Sequence, residues 1–230
     1  MSKLKSPINA FLFRGDKSLF WPERSTLIVA DLHLEKGSWY AGTGQFLPPY
    51  DTTSTLKKLD RAVTETGARK IIALGDNFHD SDGPKRLHKD DKTDLDRIRQ
   101  KCEVIWVLGN HDPDLCLSTD YGDKYVDKYK DIFCDFCHIA GTSMDPKRIE
   151  ISGHYHPKAS LRSHGRKISG PCFIYSGHRL IMPSFGTYTG GLDIQAAEIQ
   201  SHFNDEYEIT ICWKGKTYNF SKQTYLRNIA

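Results

Sequence analysis

A chain of 230 residues with a formal net charge of +3 and 38% hydrophobic residues has room for one α/β domain with a packed core, and a second full domain would be tight. The mean hydropathy of −0.54 marks a polar surface. No apolar run approaches the roughly 18 residues of a membrane span, so no membrane association is expected. The opening Met-Ser-Lys-Leu-Lys-Ser-Pro lacks the apolar stretch of a secretory signal, and the expected compartment is the cytoplasm. A charge of +3 is too small to argue for nucleic acid by itself. Cys102, Cys116, Cys134, Cys137, Cys172 and Cys212 are expected to be reduced thiols. Cys134-Asp-Phe-Cys137 lacks the second pair that would complete a zinc site.

Residues 10–13 and 18–21 read as a hairpin turning at Arg14-Gly15-Asp16-Lys17. Residues 26–30 form an apolar, strand-like run that ends at Asp31-Leu-His33. Pro48-Pro49-Tyr50-Asp51 then introduces a helix with Leu56, Leu59, Ala62 and Val63 on one face, stopped by Gly67. A second strand-like run, Lys70–Leu74, ends at Gly75-Asp76. Residues 82–94 are densely charged, and Lys85, Arg86, His88 and Lys89 read as part of a loop. Residues 94–101 read as a short helix with Leu95 and Ile98 inward. The run 104–108 ends at Gly109-Asn110-His111-Asp112, and His138 stands alone in His-Ile-Ala-Gly. Ile149–Ser152 ends at Gly153-His154-Tyr-His156, followed by the basic residues Lys158, Arg162, Arg166 and Lys167. Residues 172–175 and 179–182 form a hairpin around Ser176-Gly177-His178, and 195–206 reads as a linker. A last hairpin joins Glu208–Trp213 to residues 217–220 through Lys214-Gly215-Lys216. The strand–helix–strand alternation argues a βαβ arrangement.

Each of these strands delivers side chains at its carboxyl end, where open α/β sheets bind ligands. Carboxylate oxygen suits hard divalent ions and imidazole suits several first-row metals. Two such ions roughly 3.5–4 Å apart can clamp a phosphoryl group and activate water. Asp76, ending the second run, is the natural bridging carboxylate. If Asp31 with His33, and His154 with His156, are alternate residues of extended segments, each pair points to one side.

The ordered series DxH, GD, GNHD, H and GHxH resembles the calcineurin-like metallophosphoesterase superfamily. Ala-Asp31-Leu-His33-Leu-Glu-Lys-Gly37, Gln45-Phe-Leu-Pro-Pro-Tyr-Asp51, Leu74-Gly-Asp-Asn-Phe-His-Asp80, Gly153-His-Tyr-His-Pro157 and Pro183-Ser-Phe-Gly-Thr-Tyr-Thr-Gly-Gly-Leu-Asp193 resemble, within it, the ligase-associated DNA-damage-response endonuclease family. The likeness runs from about residue 10 to about residue 195 and implies a four-layer αββα sandwich with two mixed β-sheets. It leaves a C-terminal hairpin, about 207–220, within a single domain spanning 1–230.

The resemblance implies two divalent metal ions, Mn²⁺ first and Fe or Zn²⁺ as alternatives. Asp31, His33, Asp76 and His156 would hold one, and Asp76, Asn110, His138 and His154 the other. A hydroxide bridging the metals would attack phosphorus. His111 would assist the leaving oxygen, with His79 beside it and Asp80 orienting either imidazole. The implied activity is a phosphodiesterase, a nuclease acting on DNA in repair, with repair ligase, helicase or exonuclease partners and a homodimer as a further possibility.

Alternatives stay open at this point. A phosphomonoesterase or nucleotide hydrolase uses the same ligands. A non-catalytic protein-binding scaffold is a minor alternative, because scaffolds usually lose ligands and here every position is filled. Arg179 could hold a substrate phosphate bidentately or be only a hairpin residue. Lys85 and Arg86, like the basic residues after His156, could contact backbone phosphates or simply be solvated. His88, His164 and His202 read as surface residues. The loop of Gly186, Gly190 and Gly191 could line a groove, form a subunit contact or be a sharp turn, and Tyr188 could stack on a base.

Overall fold

The computed structural model describes residues 7–229 apart from residues 46, 49, 118–120, 143, 144, 146, 164, 204 and 205. His164, Phe46 and Pro49 therefore lie outside the described residues.

The first sheet takes β1 (Leu12–Phe13), β2 (Leu19–Trp21), β3 (Thr26–Val29), β4 (Lys70–Leu74), β5 (Glu103–Val107) and β6 (Lys124–Val126) in that spatial order. The opening hairpin is antiparallel, whereas β3, β4, β5 and β6 run parallel, with Val29 opposite Ala73 and Leu74 opposite Val107. That register aligns the carboxyl ends of β3, β4 and β5 at one edge.

The helices α1 (Lys36–Gly42), α2 (Asp51–Thr66), α3 (Gly83–Arg86) and α4 (Lys89–Lys101) occupy the connections between these strands. Leu56, Leu59, Ala62 and Val63 of α2 and Leu95 and Ile98 of α4 pack on the outer face of the sheet, against Leu27, Val29, Ile71, Ala73, Val104 and Trp106. Gly67 closes α2 in the left-handed conformation, φ 64°, its amide donating to the Val63 carbonyl. This Gly-capped ending is favoured because glycine carries no Cβ penalty there.

The second sheet runs β13 (Leu192–Asp193), β10 (Pro157–Ser163), β11 (Arg166–Tyr175), β12 (Arg179–Ile181), β9 (Ile149–Ser152), β8 (Cys134–Cys137) and β7 (Lys128–Lys130). The C-terminal hairpin of β14 (Glu208–Trp213) and β15 (Lys216–Ser221) continues this sheet by pairing β14 with β11. Parallel pairs, β8 with β9 and β9 with β12, are mixed with antiparallel ones.

Ile28, Ile72, Ile105 and Val107 from one sheet meet Phe136, Ile149, Ile151, Phe173 and Leu180 from the other in a shared core. The outer face of the second sheet is covered by Ile199 of α5 (Ala197–Gln200), Phe203, Tyr207 and Tyr225 of α6 (Lys222–Arg227). The architecture is an αββα sandwich with two mixed sheets, the second helical layer being much the thinner.

Three sequence expectations change. The charged stretch 82–94 contains α3 and the start of α4 rather than a loop. His88 caps α4, its Nδ1 accepting from the Asp90 amide, and the acidic Asp90 and Asp91 suit the helix's positive first turn. Within the segment expected as a linker, residues 195–203 form a packed cover, because Ile199 and Phe203 are buried. The basic residues after His156 lie on the β10–β11 hairpin, not in a loop, with Lys158 and Arg162 on its exposed side. Cys134 and Cys137 are free and buried in β8, three residues apart and so facing opposite sides of the strand, which rules out a joint chelate. Among the described residues no helix is long and apolar enough to cross a membrane.

Phe136, fully buried between the sheets, should be a sensitive reporter of their union. Phe136→Ala is expected to cost about 3–5 kcal/mol, read as a lowered urea midpoint with an unchanged slope.

Candidate metal centre

Two groups of donor atoms adjoin at the shared edge of the sheets: Asp31 with His33 and His156, and Asp76 with His138 and His154. In the first, His33 Nε2 lies 3.4 Å from His156 Nε2, which lies 3.4 Å from Asp31 Oδ1. In the second, His138 Nε2 lies 3.0 Å from Asn110 Oδ1, 3.1 Å from His154 Nδ1 and 3.3 Å from Asp76 Oδ1. Asp76 Oδ2 also comes within 3.9 Å of His33 Nε2, so this carboxylate touches both groups. All seven side chains expected as ligands are thus brought together.

The donor chemistry fits cations. His138 Nδ1 is 3.0 Å from the Leu74 carbonyl, which can only accept, so Nδ1 carries the proton and the neutral ring offers a lone pair at Nε2. That lone pair faces a carbonyl oxygen, a carboxylate oxygen and another imidazole. Atoms bound to one ion at about 2.0–2.2 Å sit roughly 3 Å apart, which is the spacing found.

The electrostatics show how strongly this spot draws positive charge. Burial opposes charge on His138, yet Asp76, Asp31 and the Leu74 carbonyl raise it to about 9, so without a metal a second proton is drawn to Nε2, where a metal ion would take its place. Burial alone would raise the Asp76 carboxyl, but His138, the His111 amide and His33 hold it well below the usual carboxylate range. His33, chiefly through burial, falls to about 3 and stays a neutral donor.

The local backbone that aims these donors is unusual. Asp31, His33, Asp76, His154 and His156 all have φ between 44° and 71°, the left-handed region. The expectation that DxH and HxH are extended is therefore corrected: β3 ends at Val29 and β9 at Ser152, and the candidate donors lie in left-handed kinks beyond them. Such residues cost of order 1–3 kcal/mol each and persist only where the surroundings over-determine them. Here the loops are laced together. The amides of His33 and Leu34 donate to the carbonyls of Asp76 and Asn77, and the His154 amide donates to the Asp31 carboxylate at 3.1 Å.

Gly75, at φ 74°, admits His138: a Cβ there would lie 2.3 Å from His138 Nδ1. Gly109 admits Asp76, whose amide nitrogen would be 2.1 Å from a Cβ. The Pro183–Asp193 stretch closes the back of the first group. The amides of Phe185 and Gly186 donate to the carbonyls of Ala30 and Asp31, Ser184 Oγ donates to the Asp31 carbonyl, and Leu192 pairs with His156. Tyr188 is exposed, with φ 58°.

Beside the donors lies a run of stacked rings. His111 donates Nδ1–H to the His79 carbonyl at 2.9 Å, leaving Nε2 free and 3.9 Å from Asp76 Oδ2. The His79 ring stacks on His111 at 5.4 Å between centroids and 18° between planes. Tyr40 stacks on His79 at 5.8 Å, and Trp39 meets it edge-on at 4.9 Å. Burial first, then Lys36 and His111, lower His79 to about 4.

Other expectations are redirected. Asp80 does not reach an imidazole by hydrogen bond among the described residues. It accepts both guanidinium nitrogens of Arg86, whose Nε donates to Ser38 Oγ. Lys85 is exposed and paired with Asp82. Arg179 is buried, its donors spent on Glu150 and on the carbonyls of Gly141 and His202, with His202 Nδ1 also 3.0 Å away, so a substrate role for it is not supported. His202 is not a free surface residue, because its Nε2 pairs with Tyr155 OH at 2.8 Å.

Two contributions escaped the sequence. Asp112 is fully buried and accepts from the amides of Asn77, Phe78 and Gly109, tying the β4 and β5 loops together. The aromatic pair Trp39 and Tyr40 was also missed. Its signal is the spacing of Lys36, Trp39 and Tyr40, which puts all three on one helix face.

Asp76→Ala is expected to lose metal from both groups, as read by elemental analysis against the wild-type protein, and two ions retained per chain would contradict the shared role. Gly75→Ala drives a methyl into His138 and should lower metal content while circular dichroism stays native.

Residues 25–154, which run from the start of β3 to His154 of the second donor group, match the family described as calcineurin-like phosphoesterase. Among solved structures, the nuclease MPE of Pseudomonas putida superposes with a TM-score of 0.69 at 22% identity, over 91% of this chain and 94% of that one. The phosphoesterase YfcE of E. coli gives a TM-score of 0.43 at 11% identity, over 85% and 98%. No curated protein matches. The match over more than half of the chain, with the donor groups in place at the sheet edge, makes this protein a member of the calcineurin-like phosphoesterase family and a hydrolytic phosphoesterase.

Proposed function

We propose that this phosphoesterase is a two-metal phosphodiesterase that cleaves nucleic acid. The observation that carries the reading is the pair of adjoining donor groups with Asp76 in reach of both. Bound divalent ions would supply an activated water and withdraw charge from the phosphoryl oxygens. Asp31, His33 and His156 would hold one ion, and Asn110, His138 and His154 the other, with Asp76 shared. The donors are all oxygen and nitrogen, which suits Mn²⁺, Fe or Zn²⁺, and Mn²⁺ is the first to test.

His111 acts at the leaving oxygen. Its Nδ1 proton is committed to the His79 carbonyl, so Nε2 is the atom that faces the reaction and passes a proton to the departing alkoxide. Its side chain is 43% exposed, so the proton can be replenished from solvent. His79 fixes the plane of His111 by stacking and its tautomer through the main chain.

A diester is favoured over a monoester by the commitments of the cations. A guanidinium fork is a common way to hold the extra charge of a dianionic monoester, and the arginines expected near the site are already paired, Arg86 with Asp80 and Arg179 with Glu150. A DNA substrate, a repair setting and partners among repair ligases, helicases and exonucleases follow from the motif resemblance, and the nuclease with a similar fold is in keeping with it.

Mn²⁺-dependent turnover of bis(p-nitrophenyl) phosphate is expected to exceed that of p-nitrophenyl phosphate, with Asp76→Ala as the blank. Preference for the monoester would overturn the diester reading. His111→Ala should lower kcat on the diester by about 10²–10⁴-fold with metal content unchanged, and unaltered turnover would remove His111 from its role.

A further inference from the structure

Helix α1 carries a feature that the metal chemistry does not use. Lys36, Trp39 and Tyr40 stand at helical spacings of three and four and share one face. Trp39 is 38% exposed, unlike Trp21 and Trp106, which are buried. Neither Trp39 nor Tyr40 belongs to any of the apolar clusters that build the cores. Their ring contacts lead instead toward the donors: Trp39 and Tyr40 against His79, and His79 against both His111 and His33. Lys36 lies close enough to His33 and His79 to act on both electrostatically.

The helix is held rigidly. The Gly37 amide donates to Asp51 Oδ2 at 2.9 Å, the Trp39 amide to the Glu35 carbonyl at 3.1 Å, and Arg86 Nε to Ser38 Oγ at 3.1 Å. An exposed indole that meets His79 edge-on, and is one ring away from His111, is a poor way to bury apolar area and a good platform for a flat π-system.

Resting on the phosphodiesterase reading, we propose that the α1 face is a base-stacking subsite: Trp39, backed by Tyr40, takes an unpaired nucleobase next to the scissile phosphate, and Lys36 takes a neighbouring phosphate. A base inside a duplex has both faces covered, so the subsite selects single-stranded, frayed or looped nucleic acid. Stacking is tolerant of base identity because every base has a π-face, so the preference is for strand state and not for sequence.

The test compares a thymidine homopolymer with an abasic strand of the same length and charge. KM and kcat are measured on the Mn²⁺-loaded protein, and binding of the two fluorescently labelled strands is measured in EDTA by anisotropy. The wild type is expected to favour the base-bearing strand by about tenfold. Trp39→Ala should abolish that preference by raising KM for the base-bearing strand alone, and Trp39→Phe should restore most of it. Equal handling of the two strands by the wild type, or an unchanged ratio in Trp39→Ala, overturns the subsite while leaving diester turnover intact. Absence of turnover on bis(p-nitrophenyl) phosphate would instead overturn the phosphodiesterase reading beneath it.

Discussion

Lone pairs that face one another need a cation between them, and the structure is arranged around that demand. Asp76 Oδ1, Asn110 Oδ1, His138 Nε2 and His154 Nδ1 converge within hydrogen-bond distance, and with the His138 Nδ1 proton committed to Leu74 the cluster calls for a proton or a metal ion at its centre. No single strand could assemble such a cluster. The parallel register of β3, β4 and β5 sets one row of carboxyl ends, and the pairing of β8 with β9 sets a second row opposite. The inter-sheet core presses the two rows together.

The cost of this convergence is carried by the backbone. Five of the candidate donors, Asp31, His33, Asp76, His154 and His156, occupy left-handed φ where residues with a Cβ are disfavoured. What holds them there is the lacing of loop to loop: Leu34 to Asn77, His154 to Asp31, Phe185 to Ala30, and Asp112 to three amides at once. The amides that would otherwise be orphaned at strand ends are satisfied by these same bonds. The donor groups and the loop framework are therefore one structure, and the framework itself aims the donors.

Much of this was legible because the strands are short apolar runs and the ligands follow them directly. The boundaries of β4, β9 and β14, the face of α2 and its Gly67 stop all appear in the residue pattern. What did not appear depends on tertiary contacts. The strand before His138 is Cys-Asp-Phe-Cys, too short for alternation to stand out. The kinks at the ligands leave no local composition cue, because the residues there are chosen for chemistry. Arg179 carried a chemically reasonable role from its type alone, but its guanidinium turned inward to Glu150, nearly thirty residues away in sequence. Asp80 likewise met Arg86 before it could meet a histidine. The run 195–206 looked like a linker because its apolar residues are few and widely spaced, and only the second sheet's outer face explains why Ile199 and Phe203 are there.

The bond from the His154 amide to the Asp31 carboxylate spans 123 residues of chain. Contacts so distant in sequence are made late, after loop-closure entropy has been overcome. A growing polypeptide that has emitted β3, β4 and β5 possesses isolated carboxylates and imidazoles, but no pocket capable of retaining an ion against the solvent. An ion held by both groups would bind the native chain and not its precursors, so it would stabilise only the state in which the second sheet has docked. Occupancy of these groups would then report that the two sheets have come together.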